Sequence, residues 1–91
     1  MTEVPLDIID SVLRKMLGPY GLDHVQAKAD VDHDGEPALF IDAILKPNSE
    51  LVGGKVYVDV LGALSDALLK RGDHRFPYLT LRHPDEERAE P

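Results

Sequence analysis

Three aspartates at alternate positions, Asp30, Asp32 and Asp34, followed at once by Gly35, are where residue type and spacing come nearest to a site of chemistry. Evenly spaced carboxylates ending in a glycine match the opening of a helix–loop–helix calcium loop, which takes its first side-chain ligands at alternate positions and turns sharply at a glycine. The match stops there. The bidentate glutamate that closes such a loop is replaced by Ile41, Pro37 falls where the exit helix would begin, and the residues before Asp30 alternate as in a strand. In a strand the three carboxylates share one face at roughly 7 Å spacing, too far apart for one ion to touch them all. The expected role is the wet edge of a hairpin, where acidic side chains also deter sheet-to-sheet aggregation; a divalent-cation site on the Asp30-x-Asp32-x-Asp34-Gly35 turn is the alternative.

Histidines extend that alternative. If the last strand lies beside the first, it starts near the hairpin turn and brings His74 and Asp73 toward Asp32, His33 and Asp34; imidazoles with carboxylates suit zinc or a similar ion. His24 and His83 would meet at the other end of the same strands. With no cysteine in the chain, any metal must bind through oxygen or imidazole, and disulfides and thiolate nucleophiles are excluded.

Catalysis is not expected of this chain, and no catalytic residue or cofactor is assigned. Ser11, Ser49 and Ser65 have no neighbouring His-Asp pattern, Gly53-Gly54 is too short to cradle a phosphate, and a carboxylate pair such as Asp30 and Asp32 sits on a convex turn, where burial shifts a pKa little. Arg75, Phe76, Tyr78 and Arg82 form the mixture an RNA-binding sheet uses for stacking. The charge balance opposes that reading. Seventeen acidic against ten basic residues give a net charge of −7, which repels phosphate backbones and anionic membrane.

These residues must be held by a single domain, since 91 residues leave no room for a second core. Leu6, Ile9, Leu13, Met16 and Leu17 recur at helical spacing, so a first amphipathic helix is expected from about Pro5 to Leu17, ended by Gly18-Pro19. Val25, Ala27, Ala29 and Val31 alternate with polar neighbours and predict a strand over Leu22–Val31. Asp34-Gly35 favours a turn, and the apolar run between Pro37 and Pro47 predicts the hairpin's second strand. Val56, Tyr57, Val60, Leu61, Leu64, Ala67 and Leu68 share one helical face and predict a second helix from about Gly53 to Arg71, although KVYVDV alone would suit a strand. FPYLTLRH reads as a last strand.

The order α-β-β-α-β predicts an α+β two-layer sandwich over residues 1–83, with a three-stranded, mostly antiparallel sheet and both helices on one face. Residues 84–91 are expected to be a disordered acidic tail. The last strand can lie beside the first, giving order 2-1-3, or beside the second, giving a mixed sheet of order 1-2-3. The N-terminus lacks the basic start and apolar run of a secretion signal, and no stretch reaches the roughly 20 apolar residues a bilayer span needs. A cytoplasmic location is the default expectation.

The surplus apolar positions point to a partner. Phe40, Ile44 and Tyr78 should stand on the open side of the sheet, while Val58, Gly62, Ser65 and Leu69 form a stripe on the second helix opposite its core face; Ile8 and Val12 widen the first helix's stripe. The expected function is a small acidic, non-catalytic protein-interaction module, acting as a homodimer or as a neutralising subunit for a more basic protein. Its expected contacts are Phe40, Ile44, Tyr78, Val58 and Leu69.

Overall fold

Helix α1 spans Leu6–Leu17 in the computed structural model, which describes residues 4–47 and 52–83. Its apolar spacing turns Ile9, Leu13 and Leu17 into the core, while Asp7 at the positive end and Arg14 and Lys15 at the negative end complement the dipole. One turn of 3-10 helix, Gly18–Tyr20, and Gly21 at φ 89° carry the chain into the sheet. Strand β1 spans Leu22–Val31, β2 Pro37–Leu45 and β3 Phe76–Arg82, with helix α2, Gly54–Lys70, between β2 and β3. The ends differ from the sequence expectation by at most two residues. The expected tail, 84–91, and Ser49 lie outside the described residues.

Strand order is β1-β2-β3, with β1 and β2 antiparallel and β2 and β3 parallel. The sheet is therefore mixed, and its antiparallel share is the hairpin alone. A parallel return needs a crossover, which α2 supplies. The central place of β2 has a physical reason. Leu39, Ile41, Ala43 and Leu45 are all at most 1% exposed, so β2 is the strand with most apolar surface to hide. Strand β1 buries Leu22 at its start and otherwise offers Val25, Ala27 and Ala29, all half-buried; β3 carries Pro77, which is tolerated at an edge because it cannot donate to a ladder.

Both helices cover one side of the sheet. Their buried residues, Ile9, Leu13 and Leu17 from α1 and Val60, Leu64 and Leu68 from α2, join Leu22, Leu39, Ile41, Ala43, Leu45 and Leu79 in one core cluster. The Tyr57 hydroxyl donates to the Leu79 carbonyl at 2.6 Å and ties α2 to β3. At the end of α2 the Asp73 N–H bonds to the Leu68 carbonyl and the Gly72 N–H to that of Leu69, both at 2.9 Å. This paired closure requires a left-handed residue, and Gly72 takes it with φ 81°. Among the described residues no helix is long and apolar enough to cross a membrane.

Candidate functional site

Among the described residues, no helix lies on the other side of the sheet. Pleating sends the even-numbered residues there, and the register aligns them in rows: Lys28, Phe40 and Tyr78 in one, Gln26, Asp42 and Thr80 in the next, His24, Ile44 and Arg82 in the third. Phe40 and Tyr78, neighbours across the parallel pair, stack with ring centroids 5.2 Å apart and planes 11° from parallel. Phe76 meets Tyr78 edge-on at 4.7 Å. Such pairs contribute about 0.5–1.5 kcal/mol beyond the area they bury, and the three rings form one contiguous cluster. They remain partly open to solvent, and Phe76 is 50% exposed. Asp42 and Arg82, 3.5 Å apart, separate the rings from Ile44. A shallow hollow of about 260 Å³ opens beside Phe40, lined by Gln26, Ala27, Lys28 and Asp42.

The acidic turn adjoins this cluster and has a structural task. Asp32 Oδ1 accepts the backbone N–H groups of Asp34 at 2.9 Å and Glu36 at 3.0 Å, while Oδ2 accepts the Tyr78 hydroxyl at 3.0 Å. The Asp32 N–H bonds to the Glu36 carbonyl and the Gly35 N–H to the Asp32 carbonyl, each at 2.9 Å. Gly35 has φ 83°, which fits a three-residue hairpin loop closed by a left-handed residue. The Glu36 N–H, helped by the Tyr78 hydroxyl, holds the Asp32 carboxyl below its ordinary range, and the Asp32 carboxylate in turn pushes the Tyr78 phenol up. Asp30 Oδ1 accepts the Val31 N–H at 2.8 Å.

The cation alternative fares differently from its geometric premise. With β2 between β1 and β3, His24 lies opposite Ile44, whose other neighbour is Arg82; the two end histidines, His24 and His83, are thus kept apart by a strand. The start of β3 does reach the hairpin end, through Tyr78 rather than His74. Asp73 instead binds Arg75 through both carboxylate oxygens, at 2.9 and 2.6 Å, which lowers its pKa and raises that of Arg75. Among the described residues no group of three or more histidines, aspartates or glutamates gathers as metal ligands.

The five expected contact residues fall on two surfaces. Phe40, Ile44 and Tyr78 share the open sheet face, whereas Val58, 64% exposed, and Leu69, 53% exposed, lie on α2, whose buried side faces the opposite layer. Charged pairs at helical spacing, Lys55 with Asp59 and Lys70 with Asp66, flank that stripe. Sequence reasoning passed over Phe76 as a contact because an aromatic on an edge strand more often serves core and edge packing.

It also missed a cleft of about 530 Å³ between the start of α1 and the end of α2, lined by Val4, Pro5, Asp7, Arg71, Gly72, Asp73 and Arg75, with Pro37. There the Arg71 guanidinium donates to Asp7 at 3.2 Å and lowers the carboxyl's pKa. Residues 64 positions apart give no local signal of such a meeting. No protein family, curated protein or solved structure matches the chain at a significant level.

Proposed function

We propose that this chain is a non-catalytic protein-interaction module that docks a partner on the open face of its sheet, with Phe40, Tyr78 and Phe76 as anchors and Ile44 at the far end. The observation that carries this reading is the contiguous, half-exposed aromatic cluster on a sheet face that no helix covers among the described residues. Aromatic side chains on a rigid element supply large contact area at little conformational cost. At about 25 cal/mol per Å², burying roughly 600 Å² of apolar area gives a gross ~15 kcal/mol, set against an association cost of about 4–15 kcal/mol. The net charge of −7 favours a basic partner and speeds its encounter, as an accessory or neutralising subunit requires. The paired state of the charged groups in the cleft, Arg71 with Asp7 and Arg75 with Asp73, supports a structural role there.

The test compares recovery of bound proteins from the native host on tagged wild-type chain, a Phe40→Ala/Tyr78→Ala variant and a Val58→Ala/Leu69→Ala variant. Loss of a specific partner by tenfold or more from the sheet variant alone is expected, since two anchors each contribute about 1–2 kcal/mol. Retention by the sheet variant, with loss from the helix variant, would move the docking surface to α2.

A further inference from the structure

A sheet of order β1-β2-β3 has two edges, and they are not alike. On β3 the Leu79 carbonyl is taken by the Tyr57 hydroxyl, and Pro77 has no N–H to offer. On β1 the hairpin fixes which backbone groups look outward. Because the Asp32 N–H bonds across the hairpin to Glu36, the alternation of an antiparallel ladder gives Asp30, Lys28 and Gln26 to β2 and turns Val25, Ala27, Ala29 and Val31 toward solvent. The ends of this row are closed from within. Arg14 Nη2 donates to the Asp23 carbonyl at 3.3 Å, and Asp30 Oδ1 accepts the Val31 N–H at 2.8 Å. What stays open among the described residues is a ladder three residues long, Val25, Ala27 and Ala29, centred on Ala27. An uncovered edge of this kind is a template for another strand.

We infer that this edge pairs with the same edge of a second copy, antiparallel about a two-fold axis at Ala27, joining two three-stranded sheets into one of six strands. The register follows from the closed ends. With Ala27 opposite Ala27, Val25 faces Ala29 twice, and the ladder uses the open groups without needing the Val31 N–H. Same-face partners then complement each other: His24 stands opposite Asp30, and Gln26 opposite Lys28. Moving the axis to Ala29 demands the N–H that Asp30 already holds, and moving it to residue 28 sets Lys28 against Lys28. On the helical side Ala27 and Ala29 bring only methyl groups to the joint. The open faces of both copies become continuous, so this inference extends the proposed docking surface but stands on backbone groups that the aromatic cluster does not touch.

Because the chain has no cysteine, single cysteines report the register. Gln26→Cys and Lys28→Cys chains, mixed in equal amounts and mildly oxidised, are expected to cross-link to each other, while each alone cross-links at least tenfold less. Sedimentation should give twice the chain mass for wild type and for Phe40→Ala/Tyr78→Ala. Ala27→Pro removes an outward N–H that β2 does not use, so it should preserve the folded monomer by circular dichroism and raise the dissociation constant of the pair about tenfold or more. A monomeric mass at all concentrations up to the millimolar range would overturn the pairing, as would self-cross-linking of Gln26→Cys equal to the mixture, or an unchanged dissociation constant in a folded Ala27→Pro chain. Loss of partner capture with the dimer intact would instead bear on the aromatic face alone.

Discussion

Asp32 is the residue on which the hairpin and the aromatic cluster meet, because one oxygen holds the loop and the other holds Tyr78. Its depressed pKa is a statement about stability. Folding favours the ionised form, so the contribution is fully present above the unfolded carboxyl's pKa of about 3.9 and is lost as pH falls through the lower folded value. For Tyr78 the sign is opposite: its pKa is raised, so its contribution holds below the ordinary phenol value of about 10 and is lost as pH rises through the folded one. Followed by its carboxyl carbon shift, Asp32 should titrate below the ordinary aspartate value of about 3.9, and Tyr78→Phe should narrow the gap. Asp32→Ala should lower the melting temperature more than Asp32→Asn, which keeps an oxygen for the two loop N–H groups. Asp32 titrating at or above that ordinary value would show that the loop bonds do not hold its charged form. The alternate aspartates that first suggest ion binding thus owe one of their number to turn chemistry, an ambiguity that spacing alone leaves open.

The elements themselves were legible in the sequence because each has a periodicity its surroundings reinforce. Helix α2 is the instructive case: KVYVDV prefers a strand by propensity, yet Val60, Leu64 and Leu68 align on one helical face and are buried together. Tertiary burial decides between two local options. Strand order left a subtler trace. The apolar run of β2, broken only by Asp42, and the proline in β3 both point to a central β2 and an edge β3, but helical and strand periods describe faces, not neighbours, so order 2-1-3 stayed open. The cleft formed by Arg71, Asp7, Asp73 and Arg75 left no trace at all, since it exists only once the ends of both helices are brought together. Gly72 tests the account at this scale. No atom lies within 4 Å of an added Cβ, so Gly72→Ala carries a conformational penalty alone. Denaturant unfolding should show a loss of about 1–2 kcal/mol, a fall of several degrees in melting temperature for a domain this size; an unchanged midpoint would mean that the closure of α2 does not depend on the left-handed residue.

At the scale of the whole molecule, the two layers divide the apolar residues unequally between core and surface. The helical layer seals one side of the sheet; the other keeps three aromatic rings and Ile44 half in water. Isolated apolar residues on a surface need no explanation, but a stacked cluster on a flat sheet, beside an acidic turn in a chain of charge −7, is the kind of surface a basic protein can cover. The five contacts expected from sequence divide between opposite sides of the molecule, because a list of surplus apolar residues says nothing about which of them share a plane. The central claim is that the sheet face, not the helical layer or the acidic turn, meets the partner. Titrating the recovered partner into isotope-labelled chain and following amide and aromatic resonances tests this most directly. Shifts and broadening concentrated on Phe40, Asp42, Ile44, Phe76, Tyr78 and Arg82 are the predicted result; perturbation centred on Val58 and Leu69, or on residues 32–36, with the three rings unmoved, would contradict it.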